Sequence, residues 1–472
     1  MSDHFDLVII GAGPGGYVAA LHGAQLGGKV ALIEKSHLGG ACLNYGCIPS
    51  KALLASAELM HQLRSSGDLG VEVFGEVKAD WEKIQSRKDR IIAGQRSGLN
   101  SLLLGRKVSV LKGVASLNGP GKIQLRCEDG SMREILAAYV IVAVGSSPAR
   151  VPGWPADADR VCTSDEALHW RTLPRKLLVV GGGVIGCELA CAFHPLGVQV
   201  TIVEMLPRLL PQMDGQISTT LEKIFAARGI RCLPGTRIET MQLTDRGVVA
   251  TLSGGETVES DRVLVATGRR PATDNLGLES AGLALDRGFL RVNYKMETPV
   301  ARHYCIGDAN GRCLLAHAAS AQGTVAAENA LGHARTMEGP VPSCVYTFPE
   351  IGSVGMTTEE ARAVGVPFFA GTFPLRFLGK SQAAGHAEGF VKVLKHRETG
   401  QLLGVHMLGH NATECIAVAG AMLHQQVSVE EVAGVIFAHP TMSEGIKEAC
   451  EDALHAAIHA PPRKIQRMAA TV

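Results

Sequence analysis

The apolar residues of this chain form short runs that end in glycine-rich turns. Residues 5–10 read FDLVII and lead into GAGPGG, while residues 176–180 read KLLVV and lead into GGGVIG. A short, almost continuous apolar run bounded by glycines is typical of a parallel strand that is buried on both faces. Small residues that suit a closely packed helix follow each turn. The pattern predicts two copies of a strand, a glycine turn and a helix.

Each copy continues into a second apolar strand that ends on an acidic residue, Glu34 in VALIE and Glu204 in VTIVE. In dinucleotide-binding domains the first glycine permits a tight turn, the second admits a pyrophosphate and the third packs the helix against the strand. The acid binds ribose hydroxyls. These glycines are Gly11, Gly13 and Gly16 in the first copy and Gly181, Gly183 and Gly186 in the second. One such motif is weak evidence, but two complete copies predict two dinucleotide sites.

Two further strands end in glycine and a proline turn, VIVAVGSSP at residues 140–148 and VLVATGRRP at residues 263–271. Each closes the domain that a glycine loop opens. We therefore predict a first dinucleotide-binding domain over residues 1–148, completed by residues 271–340, and a second dinucleotide-binding domain over residues 149–270.

The C-terminal residues 341–472 have a different pattern. Strand-like runs at 390–394 and 402–407 precede helical stretches at 416–426 and 442–455. This order suits an antiparallel sheet with helices on one face, which often serves as a pairing surface. The predicted fold is therefore α/β, with two Rossmann-like dinucleotide-binding domains and a C-terminal α+β dimerisation domain.

Composition narrows the class of protein. The 472 residues carry a formal net charge of +1, which argues against a nucleic-acid partner or an anionic membrane. No apolar run approaches the ~20 residues that a membrane helix needs. Because the first strand begins almost at the first methionine, we expect no targeting peptide and either a cytoplasmic bacterial protein or a processed organellar form. The 12 cysteines have neither the pattern of a secreted disulfide framework nor zinc-site spacing, so no metal is expected.

Two of the cysteines differ from the rest in their position. Cys42 and Cys47 lie five residues apart in GGACLNYGCIPSK, shortly after the first glycine loop, and lead into an apolar helical stretch. Two such thiols form either a redox-active disulfide or a pair of buried structural thiols. Their place beside a dinucleotide site favours the redox interpretation, in which electrons pass between a nucleotide cofactor and a protein disulfide.

Together these motifs resemble the FAD-dependent pyridine nucleotide–disulphide oxidoreductases. The resemblance spans nearly the whole chain and includes both glycine loops, the cysteine motif, ATGRRP, IGD at 306–308 and a C-terminal HPTMSE. It implies that the first loop and Glu34 hold FAD. The second loop and Glu204 would hold NAD rather than NADP, because a carboxylate repels a 2′-phosphate. Arg208 lies four residues further on and weakens that preference. The resemblance implies further cofactor positions at Lys51, Gly113, Asp308, Ala316 and His317 for FAD, and at Ile238 and Gly268 for NAD.

The resemblance also assigns roles around the thiols. Within the family, the motifs are most similar to those of the branch that reoxidises protein-bound dihydrolipoamide with NAD. By this resemblance Cys42 exchanges with the substrate, and Cys47 faces the flavin. Lys51 and Glu188 would form an ion pair beside the flavin, where a positive charge stabilises a thiolate.

A histidine near the C-terminus is the predicted base. The imidazole of His439 can accept a proton, and Glu444 can hold its tautomer. Family members supply this histidine from the second subunit, so the resemblance implies a homodimer with a shared active site. The dihydrolipoyl group would arrive on a partner. That partner is the lipoylated acyltransferase of a 2-oxo acid dehydrogenase complex or the lipoylated protein of glycine cleavage.

One residue departs from the family pattern, and some alternatives remain. Tyr45 stands between the two cysteines, where the family usually has a small aliphatic residue.

A glutathione-reductase-like activity predicts basic residues after the second loop and commonly a lysine in place of Ser50. A mercuric-ion-reductase-like activity predicts a C-terminal cysteine pair, which residues 461–472 lack. A non-catalytic FAD-binding regulator would need none of the thiols.

Overall fold

The computed structural model describes residues 3–155 and 157–461. Its strands are β1 Asp3–Ile10, β2 Val30–Glu34, β3 Ser109–Leu117, β4 Lys122–Cys127, β5 Met132–Val142, β6 Ser146–Pro148, β7 Val161–Thr163, β8 Lys176–Val180, β9 Gln199–Val203, β10 Arg231–Leu233, β11 Ile238–Thr244, β12 Gly247–Leu252, β13 Thr257–Ser260, β14 Arg262–Val265, β15 Arg269–Pro271, β16 His303–Cys305, β17 Ser343–Val345, β18 Ile351–Gly355, β19 Phe368–Pro374, β20 Phe390–His396 and β21 Leu402–Leu408. Its helices are α1 Pro14–Gln25, α2 Gly40–Tyr45, α3 Cys47–Arg64, α4 Trp81–Gly105, α5 Ser164–Ala167, α6 Val184–Phe193, α7 Gly215–Ala227, α8 Ala316–Ala330, α9 Thr358–Ala363, α10 Gly379–Ala383, α11 Ala412–His424, α12 Val429–Gly434 and α13 Glu444–Ala453. Within these residues no helix has both the length and the hydropathy to span a membrane.

The chain divides into two compact units. The first unit comprises Met1–Met60, Glu76–Met205 and Thr236–Glu338, and the second comprises His61–Gly75, Leu206–Gly235 and Gly339–Val472. Both glycine loops and the cysteine motif belong to the first unit, and the HPTMSE motif belongs to the second. The three domains with boundaries at residues 148, 270 and 340 stay a prediction, and residues 462–472 of the last one lie outside the described residues.

The first unit contains a sheet with parallel strands in the order β3-β2-β1-β5-β16. The strand β4 pairs antiparallel with both β3 and β5. Leu7 and Ile9 of β1 pack in the core that contains residues of α1 and α8, while Val8 and Ile10 pack in the core on the opposite face. Burial of both faces explains why the run at residues 5–10 is almost entirely apolar.

A second parallel sheet in the same unit contains strands in the order β9-β8-β14-β7. A separate antiparallel sheet has the order β11-β12-β13. The short strands β6 and β15 form an antiparallel ribbon in which Arg269 pairs with Pro148 and Pro271 pairs with Ser146. The two predicted boundaries of the second dinucleotide-binding domain, at residues 148 and 270, therefore lie in neighbouring strands.

The second unit contains an antiparallel sheet in the order β17-β18-β21-β20-β19. Val391 and Val393 of β20 pack with Ile416 of α11 and Ile446 of α13 in one core. The predicted α+β arrangement is therefore present. Helix α11 begins at Ala412, before the predicted start at residue 416, because Asn411 adopts a left-handed conformation that directs the chain into the helix.

A buried ion pair lies inside the second unit. Asp214 is fully buried, accepts a hydrogen bond from the Gln216 amide at the start of α7, and lies 2.8 Å from Lys392 Nζ. The Thr358 hydroxyl donates to the same carboxylate at 2.6 Å. Burial opposes ionisation, but the hydrogen bonds from Lys392 and Thr358 outweigh it, so the pKa of Asp214 lies below its usual value.

Candidate active site

The first glycine loop connects β1 to α1 and has three distinct steric environments. Gly11 has φ +105°, and a Cβ there would lie 2.4 Å from the carbonyl oxygen of Ala143. A Cβ on Gly16 would lie 1.9 Å from the Gly11 carbonyl oxygen. A Cβ on Gly13, the residue that precedes α1, would meet no heavy atom of the described residues within 4 Å. The middle glycine therefore opens onto free space at a helix N-terminus, which suits an incoming anion.

The second glycine loop repeats this geometry between β8 and α6. Gly181 has φ +108°, and its Cβ would lie 2.3 Å from the carbonyl oxygen of Ala266. A Cβ on Gly186 would lie 1.9 Å from the Gly181 carbonyl oxygen. A Cβ on Gly183 would again be clear of every described heavy atom within 4 Å. Both loops thus leave the space that a pyrophosphate requires.

The acids at the ends of the second strands hold the loops in place. Glu34 accepts hydrogen bonds from the amides of Ala12 and Ser36, each at 2.8 Å. Glu204 is buried and accepts from the Gly182 amide at 2.6 Å. Each carboxylate is thereby fixed beside its glycine loop. Arg208, which belongs to the second unit, donates to Glu359 at 3.1 Å.

The two thiols of the cysteine motif lie together. Cys42 is in α2, Cys47 is the first residue of α3, and Gly46 separates the two helices. The side chains hydrogen-bond to each other as free thiols. The hydrogen bond from Cys42 lowers the pKa of Cys47 to about 7, against the effect of burial and with help from the positive charge of Lys51. The same hydrogen bond and burial raise the pKa of Cys42 above its usual range.

An ion pair connects α3 with α6. Lys51 Nζ lies 2.7 Å from Glu188 Oε2, and the Glu188 side chain is only 6% exposed. Lys51 is one helical turn after Cys47, so the structure joins the thiols and the predicted ion pair in one local arrangement. A buried carboxylate fixes the ammonium beside the thiols, where it favours a thiolate.

Asp308 lies in a polar network that the sequence did not reveal. The Ser146 hydroxyl donates to Asp308 Oδ2. Arg269 Nε donates to the Ser146 hydroxyl at 2.7 Å, and its Nη2 donates to the Ser146 carbonyl oxygen at 2.8 Å. Arg269 belongs to the ATGRRP motif, which marked a strand end and gave no sign of this contact. The network connects the β6–β15 ribbon to Asp308, one of the predicted FAD-binding residues.

The other predicted cofactor positions lie within a strand, next to one, or at the first residues of an element. Gly113 is in β3 with φ +150°, and Gly268 precedes β15 with φ +130°. A Cβ on Gly113 would lie 2.4 Å from the Arg126 carbonyl oxygen, so glycine there also has a packing reason. The remaining positions start elements, with Ala316 and His317 at the beginning of α8 and Ile238 at the beginning of β11.

The predicted base and its partner form a pair in the second unit. His439 Nδ1 lies 2.9 Å from Glu444 Oε1, and Glu444 Oε2 accepts from the Thr441 amide at 2.7 Å. The His439–Pro440 peptide bond is cis. The His439 side chain is 76% exposed and the Glu444 side chain 18% exposed. The carboxylate is therefore fixed, and it holds an imidazole that faces outward.

Comparison with known protein families identifies the chain. Residues 5–323 match the family model for pyridine nucleotide-disulphide oxidoreductases, and residues 341–450 match the model for the dimerisation domain of that family. The chain belongs to the pyridine nucleotide-disulphide oxidoreductase family. It is an oxidoreductase with two nucleotide-binding folds and a C-terminal dimerisation domain, as the sequence motifs predicted, and this domain supports the predicted homodimer.

Individual relatives define the closer resemblance. A protein named dihydrolipoyl dehydrogenase from Thermus scotoductus is 41% identical over 462 residues, which cover 96% of this chain and 98% of the relative. One of the same name from Bacillus subtilis is 40% identical over 474 residues, or 97% of this chain and all of the relative. Among solved structures, LpdA from Mycobacterium tuberculosis has a TM-score of 0.88 at 32% identity, covering 95% of this chain and 99% of that one.

Proposed function

We propose that this protein is a dihydrolipoyl dehydrogenase, which oxidises dihydrolipoamide to lipoamide and reduces NAD to NADH. The observation that carries the proposal is the Cys42–Cys47 pair, hydrogen-bonded together beside the Lys51–Glu188 ion pair. The names and full-length similarity of the relatives support it. Among the described residues, no specific contact favours a glutathione- or mercuric-ion-reductase-like activity or a non-catalytic regulator.

The cofactors are FAD and NAD, and the two glycine loops fit them. The open spaces at Gly13 and Gly183 would receive the two pyrophosphates at helix N-termini. Glu34 and Asp308 would hold the ribose and ribityl hydroxyls of FAD, and Glu204 would hold the adenosine ribose of NAD. When bound, FAD supplies the two-electron chemistry that connects the dithiol with NAD. Because Arg208 is engaged by Glu359, the chain is expected to prefer NAD over NADP.

His439 would accept the proton of the substrate thiol. The contact between Nδ1 and Glu444 keeps the proton on Nδ1, which leaves Nε2 to act as the base. General-base assistance of this kind contributes about 10²–10⁴ in rate. Glu444 also stabilises the imidazolium that forms.

The thiols would then exchange bonds with the substrate. The substrate thiolate attacks Sγ of Cys42, forms a mixed disulfide, and breaks the Cys42–Cys47 bond. Cys47 leaves as a thiolate, which its low pKa and the charge of Lys51 favour. The second substrate thiolate displaces Cys42, so that lipoamide departs and two protein thiols remain.

The assembly follows from the same proposal. His439 of each subunit would serve the thiols of the other, in a homodimer with two shared sites. The dihydrolipoyl group would be carried by the acyltransferase of a 2-oxo acid dehydrogenase complex or by the lipoylated glycine-cleavage protein, in the cytoplasm. Residues 1–148 with 271–340 would form the FAD domain, residues 149–270 the NAD domain and residues 341–472 the interface domain.

A steady-state comparison tests the proposal. The purified yellow protein is expected to reduce NAD with free dihydrolipoamide and with a lipoylated protein domain, and to use NADP poorly. It is also expected to show negligible oxidation of NADPH by oxidised glutathione. Absence of dihydrolipoamide-dependent NAD reduction in FAD-loaded protein would contradict the assignment.

A further inference from the structure

A buried asparagine lies between the two redox thiols. Asn44 is in α2, two residues after Cys42, and is only 2% exposed. Its side-chain nitrogen donates to the carbonyl oxygens of Gly40 at 2.8 Å and Leu38 at 3.0 Å. Both amide hydrogens therefore bind the backbone at the start of α2. The side chain thus ties the short helix to the loop that precedes it.

An arginine from a different helix binds the other end of this amide. Arg96, on α4, donates to Asn44 Oδ1 from Nε at 3.1 Å and from Nη2 at 2.6 Å. Two donors of a rigid guanidinium on one acceptor fix direction as well as distance. The 25-residue helix α4 thereby holds the six-residue helix α2, which could not maintain its orientation alone.

The neighbouring aromatic residue adds a second hold on α2. The ring centroid of Tyr45 lies 6.3 Å from that of His37 and 6.0 Å from that of His169. Burial and the nearby charges of Arg96 and Lys112 lower the pKa of His37, against the opposing effect of Glu34. Tyr45, the residue that departs from the family pattern, therefore helps to hold α2, as Asn44 does.

We propose that Arg96 and Asn44 are positioning residues for the redox disulfide, which hold α2 so that Cys42 stays aligned with Cys47 while their bond opens and closes. The charges that act directly on Cys47 come from Lys51 and Glu188, so Arg96 acts through Asn44. This inference rests on the proposed function, because it assumes that the two thiols cycle. A loosened α2 would move Cys42 away from Cys47, and small misplacements at a reacting centre cost up to about 10²-fold in rate.

The test separates disulfide chemistry from flavin chemistry. In the FAD-loaded dimer, Arg96→Met is expected to lower dihydrolipoamide-dependent NAD reduction by about 10- to 100-fold. Reduction of ferricyanide by NADH, which draws electrons from the flavin without the disulfide, should stay within about twofold of the unaltered protein, since α4 does not carry a glycine loop. Arg90→Met is the matched control, because Arg90 is exposed on the same helix, and it should change neither activity.

A spectroscopic measurement and a second variant complete the test. In Arg96→Met, the pH midpoint of the thiolate absorbance should rise above that of the unaltered protein, because the hydrogen bond from Cys42 weakens.

Asn44→Asp keeps an acceptor for Arg96 but loses the two bonds to Leu38 and Gly40. It should also lower dihydrolipoamide-dependent NAD reduction while ferricyanide reduction is retained. An equal fall of both activities, or no change in the thiolate midpoint, overturns the inference. Unaltered protein with ferricyanide activity but no dihydrolipoamide activity would instead disprove the proposed function.

Discussion

The thiol of Cys47 illustrates how three side chains set one ionisation. Cys42 donates to it, Lys51 adds a positive charge, and burial together with Glu188 opposes both. The net result is a pKa of about 7, below that of an ordinary cysteine. A thiolate that persists at neutral pH is a good leaving group from a disulfide and can lie stably against an oxidised flavin.

Replacement of Lys51 tests this balance. In Lys51→Met the positive charge is lost while Glu188 remains, and both effects raise the pKa of Cys47. We expect the pH midpoint of the thiolate–flavin absorbance in the half-reduced protein to move upward by about 1 pH unit. The absorbance at pH 7 should therefore fall. Lys83→Met removes an exposed lysine and should leave the midpoint in place, whereas an unchanged midpoint in Lys51→Met would refute the electrostatic role.

At the scale of elements, each of the two strand–turn–helix copies uses three glycines, and these are needed for two different reasons. The first and third are required by the protein itself, because a Cβ would collide with backbone oxygen. The middle glycine has no such neighbour among the described residues and is explained by the ligand instead. These reasons predict different outcomes for the same substitution.

Alanine substitutions at the two middle glycines should each weaken the binding of only one nucleotide. Gly13→Ala and Gly183→Ala should both fold, because each Cβ has free space in the protein. A methyl group forced against a pyrophosphate costs about 1–3 kcal/mol, which weakens binding roughly 5- to 150-fold. Gly13→Ala should therefore lose FAD, while Gly183→Ala should retain FAD and show a higher KM for NAD. FAD content and steady-state kinetics provide the measurements, and loss of FAD from both variants would show that the loops are not independent.

The sequence revealed these loops because their requirements are local. Each glycine, strand and acid lies within a short stretch, so spacing alone identifies the motif. The Asn44–Arg96 contact joins residues 52 positions apart, and nothing near Arg96 distinguishes it from the other charges of α4. The Lys51–Glu188 pair joins residues 137 positions apart and was predicted only through the family resemblance. Contacts between residues far apart in the chain therefore could not be predicted from the sequence pattern alone.

The buried ion pair of the second unit provides a stability prediction. Lys392→Met leaves Asp214 charged and buried, which should cost about 3–5 kcal/mol of unfolding free energy at pH 7. Because the pKa of Asp214 in the folded protein is lowered, its contribution is complete above the unfolded value near 4 and is lost as the pH falls through the folded value. The difference between Lys392→Met and the unaltered protein should thus shrink below about pH 4.

Chemical denaturation at several pH values measures this difference. Lys223→Met is a suitable control, because Lys223 is exposed on α7, and it should have little effect. The double variant Asp214→Asn with Lys392→Met should recover part of the lost stability, since it leaves no buried charge. A Lys392→Met protein as stable as the control would contradict the role of the ion pair.

At the scale of the whole molecule, the proposed active site needs two copies of the chain. Cys42→Ser and His439→Ala should each inactivate a homodimer. When the two variant chains are expressed together, a hybrid dimer has one intact site if thiols and base come from different subunits. Random pairing should then restore about a quarter of the unaltered activity, because half of the dimers are hybrids with one good site each. If both groups come from the same subunit, co-expression restores nothing.

The ribbon of β6 and β15 has a further implication. The chain enters and leaves residues 149–268 through neighbouring strands, whose paired Cα atoms are separated by only about 4.5–5.5 Å. This stretch is therefore inserted between two neighbouring strands of the first unit, while its residues 206–235 belong to the second unit. After deletion of residues 149–268, a two-residue Asn-Gly turn could join β6 directly to β15. The excision would also remove Asp214, so Lys392 would need an apolar replacement in the shortened protein.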